Sequence, residues 1–324
     1  MCEGLTRRHF MAALAATGGL ATWMTPRRLS WAARGVEGSP LRLLFYTDVH
    51  ARTEWETPLA LARAAEAINA QRADLVIAGG DLITDGFQSS AATAAPRWDA
   101  YMDMHRAIKP EVHAVIGNHD LVAAIPEDGT PPSHEPRAIF LERMGLERTY
   151  RSFDALGYHL VLLDSVQVVG GGLKYQGRIE ADQLEWLRED LATLPPNTPV
   201  VCVLHIPLLT AFYAATKGAT APAPSNRAVV NSREVLDVLD QYNTVLVLQG
   251  HIHVKELIRW RNTTFLTGGA VCGKWWRGPW HGTQEGYSVV TLHQDRVEWE
   301  YVDYGWEARR PEKAALQTDQ MLPA

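Results

Sequence analysis

The sequence predicts an α/β chain in which two packed sheets are flanked by helices. Three observations predict it. Apolar strand-like runs alternate with helical periodicity from Leu41 to Gln249, short strands and turns replace that alternation from Val254 onward, and five of the apolar runs end in Asp, His or Asn.

Leu41 to Thr47 is near-continuously apolar, as a strand covered on both faces is. Pro58 to Gln71 then places Leu59, Ala62, Ala65, Ala67 and Ile68 at helical intervals, with Pro in the first turn. Leu75 to Ala78 and Val112 to Ile116 are the next buried strands, with a helix expected from Arg97 to Ile108 between them. Val122 to Pro136 carries Pro126, Gly129, Pro131, Pro132 and Pro136 and reads as a loop beside the strand ends. Tyr150 to Asp154 and His159 to Asp164 form a hairpin around Ala155-Leu156-Gly157-Tyr158, and Ile179 to Leu191 is helical with Glu180, Asp182 and Glu185 near its positive end. Val200 to Leu204 is a strand. Ile206 to Asn231 has no period and reads as a second loop over the same edge. Ser232 to Tyr242 is a helix capped by Ser232 or Asn231, leading into the strand Thr244 to Gln249. Val254 to Arg261, Thr263 to Leu266, Tyr287 to His293 and Val297 to Val302 are short strands, with turns at Arg261-Asn262 and Gln294-Asp295.

The ends of the apolar runs carry the chemistry. They are Asp48-Val49-His50, Gly80-Asp81, Gly117-Asn118-His119-Asp120, His205 and Gly250-His251-Ile252-His253. Hard oxygen donors mixed with imidazoles at one sheet edge describe a dinuclear metal site. Each block alone is common; their order, each behind an apolar run, makes the signal specific.

In this order the blocks resemble the calcineurin-like metallophosphoesterase family, over Asp48 to His253. The resemblance implies a four-layer α/β/β/α sandwich of two packed mixed sheets, two divalent ions (Mn, Fe or Zn), and hydrolysis of a phosphoester by a hydroxide bridging them. It implies that Asp48, His50 and His253 hold one ion, that Asn118, His205 and His251 hold the other, and that Asp81 bridges both. His119 is expected to contact the scissile phosphoryl oxygen and protonate the leaving group, with Asp120 holding its other nitrogen. Capping of the turn is the alternative role for Asp120. Thr84 stands where purple acid phosphatases, cousins in the superfamily, carry a tyrosine ligand to ferric iron, which argues against a purple centre. The run Asp81 to Gly86 looks more like bacterial cyclic-nucleotide and related phosphodiesterases.

Gly268 to Gly282 is the second informative stretch. Gly268 to Lys274 approaches a phosphate-binding loop, but Trp275 replaces the required Ser or Thr. What remains is Trp275, Trp276 and Trp280, able to stack on a base or sugar, with Lys274, Arg277 and His281 able to meet phosphate. A hydrophobic plug at the sheet edge is the alternative. A substrate wall of Trp275, Trp276, Arg277 and Trp280 favours phosphodiesters slightly; a phosphomonoesterase scavenging phosphate and a metal-bearing binding protein are the rival readings.

Thr6-Arg7-Arg8-His9-Phe10-Met11, the small-residue run Ala12 to Trp23 and Ser30-Trp31-Ala32-Ala33 read as a twin-arginine signal and cleavage site. The expected organisation is a signal peptide over 1–33, a catalytic domain over 34–304 and a tail over 305–324. The twin-arginine export machinery is then a partner, and the destination is the bacterial periplasm or outside. No stable membrane anchor is expected. With 46% apolar residues the chain has ample core material, and a net charge of −6 gives no basic field, so a small-molecule or glycan phosphoester is the expected substrate and nucleic acid is not. Export permits a disulfide between Cys202 and Cys272, though mid-strand Cys202 suits a buried free thiol. His105, His113, His134, His159 and His293 fit no block.

Overall fold

The computed structural model describes residues Pro40 to Pro311; the twin-arginine motif, the apolar run, the cleavage site and the end of the tail lie outside them. Two mixed sheets dominate. The first has the order β13-β12-β1-β2-β3, from β1 (Leu41–Tyr46), β2 (Leu75–Ala78), β3 (Val112–Ala114), β12 (Gly286–Leu292) and β13 (Val297–Asp303). The second has the order β10-β11-β9-β8-β5-β4, from β4 (Arg151–Ala155), β5 (Tyr158–Leu162), β8 (Pro199–Val203), β9 (Asn243–Gln249), β10 (Lys255–Trp260) and β11 (Thr263–Gly268).

In the second sheet the central pairs of β11-β9-β8-β5 are parallel and the hairpins at both edges antiparallel; in the first, β1-β2-β3 are parallel and β12 and β13 are added antiparallel on the other side of β1. Parallel strands must return by crossovers, and these are α1 (Thr57–Ala70), α2 (Ala91–Ala107), α4 (Ala181–Ala192) and α6 (Ser232–Leu239). Helices α1 and α2 pack together, and α4 meets α6. One apolar core takes in Leu44 and Val76 of the first sheet with Val161, Cys202 and Val247 of the second. A Cβ built on Gly268 of β11 would sit 2.7 Å from Cδ1 of Phe45 on β1, so glycine there lets the sheets approach. These are the two packed mixed sheets that the resemblance implies.

The differences from expectation have local causes. Helix α2 starts at Ala91, well before Arg97, and keeps Pro96 inside. Four alanines of high helix propensity and the Ser90 side chain, which accepts from the Thr93 amide, outweigh the one N–H that Pro96 lacks. Asn231 is the cap position of α6, but its side chain bonds both the amide (3.1 Å) and the carbonyl (2.9 Å) of Ile179 instead. A two-stranded ribbon, β6 (Val166–Gly170) with β7 (Lys174–Gly177), and the short helices α3 (Ala138–Met144) and α5 (Phe212–Lys217) were not foreseen. Cys202 and Cys272 are both free and buried. No helix among the described residues is long and apolar enough to cross a membrane.

His159 of β5 ties the second sheet to α4. Its Nδ1 lies 2.7 Å from Asp154 and its Nε2 2.9 Å from Asp190, whose other oxygen accepts from Ser152 at 2.6 Å. Burial disfavours the charge, but the two carboxylates override it and raise the His159 pKa. A raised folded pKa gives stability that is full below the unfolded value near 6.5 and fades as pH rises through the folded one. His159→Gln therefore costs about 1.5–3 kcal/mol near pH 5.5 and much less at pH 9.5. Urea denaturation at the two pH values checks this, and an equal loss at both refutes it.

Candidate metal centre

The five strand ends deliver their ligand-type residues to one place, and those of β1, β2 and β9 do so through left-handed turns. Asp48 (φ 53°), His50 (44°), Asp81 (52°), His251 (73°) and His253 (60°) all have positive φ. Asp and His tolerate this region better than most residues, yet each such turn costs about 1–2 kcal/mol. Glycines make room: a Cβ on Gly250 would lie 2.9 Å from Asp48 Oδ2, and one on Gly80, itself at φ 90°, 2.8 Å from His205 Nδ1.

Two groups of donors result. In the first, His253 Nε2 lies 3.2 Å from Asp48 Oδ1 and 3.1 Å from His50 Nε2. In the second, His205 Nε2 lies 3.2 Å from His251 Nδ1. Asp81 Oδ2 faces both, at 3.6 Å from His50 Nε2 and 3.1 Å from His205 Nε2. Asp48, His50, Asp81, Asn118, His205, His251 and His253 are all buried.

The donor set fits divalent cations. Two donors about 2.1 Å from one cation stand about 3 Å apart, which is the spacing seen. The outer nitrogens of three imidazoles are held by backbone carbonyls: His205 Nδ1 by Gly79 (2.8 Å), His251 Nε2 by Asn226 (2.9 Å) and His253 Nδ1 by Gly273 (2.7 Å). Each outer nitrogen must carry the proton, which turns the inner lone pair into the centre. Asn118 Oδ1 is buried with no donor, as a cation-seeking oxygen would be. Burial alone would raise Asp81, but His205, His119 and His50 hold it well below the usual carboxylate range. Burial works against charge on His205, yet Asp81 and Asp48 lift it to about 9, a measure of how strongly these carboxylates seek positive charge. Burial, then Arg227 and His205, keep His251 neutral.

Asp120 takes the alternative role, capping the turn, and His119 has another partner. They follow Asn118 in a 3₁₀ turn. Asp120 does not hold His119. Its carboxylate accepts from the amides of Leu82 (2.7 Å), Ile83 (3.2 Å) and Gly117 (2.8 Å), so it caps the turn and ties it to the Asp81 loop. His119 Nδ1 instead accepts from the Asp85 amide at 3.1 Å, with the Asp85 carboxylate 3.8 Å away. Ligand atoms of His119, His50 and Asp81 lie within 4.8 Å of one another. Thr84 is buried and its carbonyl accepts from Arg97, so it supports the loop.

The tryptophan stretch divides. The Trp275 ring lies 4.0 Å from His50, 4.9 Å from His119 and 5.6 Å from His253, forming one wall of the centre. Trp276 points into the core and donates from Nε1 to the His50 carbonyl at 2.9 Å. Trp280 joins a separate cluster with Tyr213, Ile252 and Val254, and exposed Arg277 stacks on Trp55 at 5.2 Å. Trp276 and Trp280 are thus packing residues rather than a wall. Trp276→Ala should cost about 3–5 kcal/mol of stability, and Trp275→Ala under about 1 kcal/mol while raising KM. Thermal melts beside kinetics separate the two, and equal destabilisation contradicts the division.

Sequence reasoning missed the opposite side. Arg227, from the loop Ile206 to Asn231, is buried with Nη1 3.3 Å from His251 Nε2, and Tyr175 of β7 sets its ring edge-on to His251 at 6.2 Å. No local pattern marks either residue. The loop Val122 to Pro136 reaches this side through Glu127, paired to Lys174 of β7 at 2.8 Å.

Comparison with known proteins agrees with this architecture. A family model described as Calcineurin-like phosphoesterase matches residues 41–255. The chain belongs to that family. It is 28% identical to purple acid phosphatase 22 of Arabidopsis thaliana over 212 residues, 63% of this chain and 42% of that one. It is thus similar to less than half of the plant protein. It is 25% identical over 247 residues, 73% of this chain and 80% of the other, to a 3',5'-cyclic-nucleotide phosphodiesterase of Nostoc sp.. The crystal structure of a dimetal phosphatase from Danio rerio shares the fold with a TM-score of 0.57 at 18% identity, over 82% of this chain and all (100%) of that one. The calcineurin-like relatives are phosphoesterase hydrolases that use metal ions.

Proposed function

We propose that the chain hydrolyses phosphoesters with two divalent cations, Mn, Fe or Zn, and takes diesters in preference to monoesters. The observation that carries the reading is Asp81, one carboxylate oxygen facing two donor groups whose imidazoles are oriented from behind by carbonyls. Asp48, His50 and His253 would hold one cation, Asn118, His205 and His251 the other, with Asp81 shared. When bound, such a pair neutralises phosphoryl oxygens, aligns the ester and activates water near neutral pH.

The chain's own residues do the rest. His119, with Nδ1 accepting the Asp85 amide, carries its proton on Nε2, and burial holds it neutral by lowering its pKa. It donates a hydrogen bond from Nε2 to a phosphoryl oxygen; to pass that proton to the leaving group the ring must first take a proton from water on Nδ1, where the Asp85 carboxylate 3.8 Å away replaces the amide as its partner, and it returns to the neutral form when Nε2 gives its proton up. Asp120 positions the turn. Trp275 on one side and Tyr175 on the other flank the scissile group, which suits an ester with two substituents. The similarity to a cyclic-nucleotide phosphodiesterase supports the diester preference, and similarity to a purple acid phosphatase keeps monoester hydrolysis as the alternative. The arginine pair Arg7-Arg8 supports twin-arginine export of a bacterial protein, with a catalytic domain over 34–304 acting in the periplasm or outside.

The test is metal analysis of the purified protein with turnover of bis-p-nitrophenyl phosphate against p-nitrophenyl phosphate in added Mn, Zn or Fe. Two ions per chain and faster diester turnover are expected. Two ions with neither ester hydrolysed points to a binding protein, and faster monoester turnover to a phosphatase.

A further inference from the structure

Against the turn that carries Trp275 sits an acid that the chemistry above does not use. Glu285 stands just before β12 and pairs with Ala270 through a backbone bridge, in which the Gly286 amide donates to the Ala270 carbonyl at 3.0 Å. Its side chain is buried at 2% exposure, and buried Oε1 has no hydrogen-bond partner among the described residues. The turn from Cys272 to Gly278 lies directly on it. Gly273 has φ 54°, and a Cβ there would sit 3.0 Å from the Glu285 carboxyl carbon, so glycine is what lets backbone and carboxyl approach this closely.

A buried carboxyl without a partner is comfortable only in its neutral form. Its neighbours reinforce this. Asp303 and Tyr301 of β13 and the following Tyr304 face it, with Cys272 beside the same tyrosines, and burial keeps the two phenols and the thiol neutral. The lysines nearby lie over rings, Lys255 over Tyr301 at 5.1 Å and Lys274 over Trp280 at 4.7 Å, and Arg63 of α1 donates to the Tyr304 carbonyl at 3.0 Å. Burial pushes the Glu285 pKa from 4.5 to about 7; its own amide pulls it down and Asp303 adds to the rise. For an acid raised in the folded state, the stability is full below the ordinary value of 4.5 and is lost as pH rises to the folded one. The turn resting on this acid serves the metal centre twice: the Gly273 carbonyl holds His253 Nδ1 at 2.7 Å, and Trp275 stacks over His50.

We propose that Glu285 is a positioning residue whose neutral carboxyl supports the turn from Cys272 to Gly278, and whose ionisation releases that turn from the metal centre. A carboxylate formed there must reach water, and the way to water is displacement of the turn packed on it. The Gly273 carbonyl then loosens its hold on His253, and the Trp275 wall moves with it. The effect on turnover rests on the phosphoester reading; the effect on the turn does not.

Amide hydrogen exchange of the wild type and of Glu285→Gln, the isostere of the neutral acid, tests it at about pH 6 and about pH 8.5. The readouts are the amides of Lys274 and Trp276, which donate to the Gly278 and Cys272 carbonyls at 2.8 Å. If opening the turn restores an ordinary acid, their protection in the wild type, corrected for intrinsic exchange, falls about tenfold between the two pH values, and in the variant less than about twofold. Unchanged protection in the wild type overturns the proposal whatever the variant does, and so does an equal loss in a folded variant. Turnover of bis-p-nitrophenyl phosphate is measured in parallel. The kcat/KM of the variant relative to wild type should be near unity at the lower pH and rise above about twofold at the higher one, because only the wild type ionises. A ratio flat with pH removes the positioning role even where the turn loosens. Absence of turnover in both proteins sinks the hydrolase reading instead, and the exchange result then decides the proposal alone.

Discussion

Asp81→Asn lowers kcat/KM by about 10³-fold or more, the size expected when electrostatic stabilisation of the reacting phosphoryl group is removed at its shared point. The substitution is close to isosteric. An amide oxygen still accepts from the His119 N–H, as Oδ1 does now at 2.8 Å, so the turn is kept. What goes is the negative charge at Oδ2, which stands between His50 and His205. At least one of two cations should leave, or bind far more weakly. Metal content and kcat/KM, with circular dichroism to confirm folding, are the measurements. Retention of both ions with turnover inside tenfold of wild type would falsify the assignment of Asp81 as the shared ligand.

His119→Ala has the second largest expected effect and the opposite signature. Its ring is buried beside Trp275 and His50, and the Asp85 amide fixes its tautomer. Loss of a positioned donor or acid lowers kcat by about 10²–10⁴-fold. Metal content should stay unchanged, because the seven other residues supply the donors. Parallel loss of metal and turnover moves His119 into the ligand set and removes its separate role. The two variants together distinguish holding the cations from handling the ester.

The strands were legible because strands buried on both faces read as unbroken apolar runs; β2 matches its expected bounds of Leu75 to Ala78. The residues of the candidate site were legible for a chemical reason. Few residue types can sit at a buried strand end in the left-handed region and also offer a lone pair, so Asp48, His50, Asp81, His251 and His253 stand out behind apolar runs, while Asn118 and His205 stand out as buried polar residues alone. The unread contacts arise only in the folded chain. Arg227 reaches His251 from a loop of Ala, Pro and Thr with no period, and Tyr175 arrives on a strand of only four residues, too short for its alternation to stand out. Asp120 could orient its neighbour or cap its turn, and three amides, two from the Asp81 loop and one from its own turn, give it the second role. Trp275 and Trp276 are adjacent and chemically identical. Left-handed backbone at both, φ 53° and 65°, sends one over the centre and the other into the core.

The left-handed turns at Asp48, His50, Asp81, His251 and His253 have a consequence for selection. Glycine at any of them would relax about 1 kcal/mol of local strain while removing a donor. Stability and chemistry therefore pull these five positions in opposite directions. A library screened for heat resistance alone would drift toward glycine here and collect robust, inert proteins. One screened for turnover would keep the strained residues and gain its stability elsewhere, in the sheets and helices that hold the turns in place.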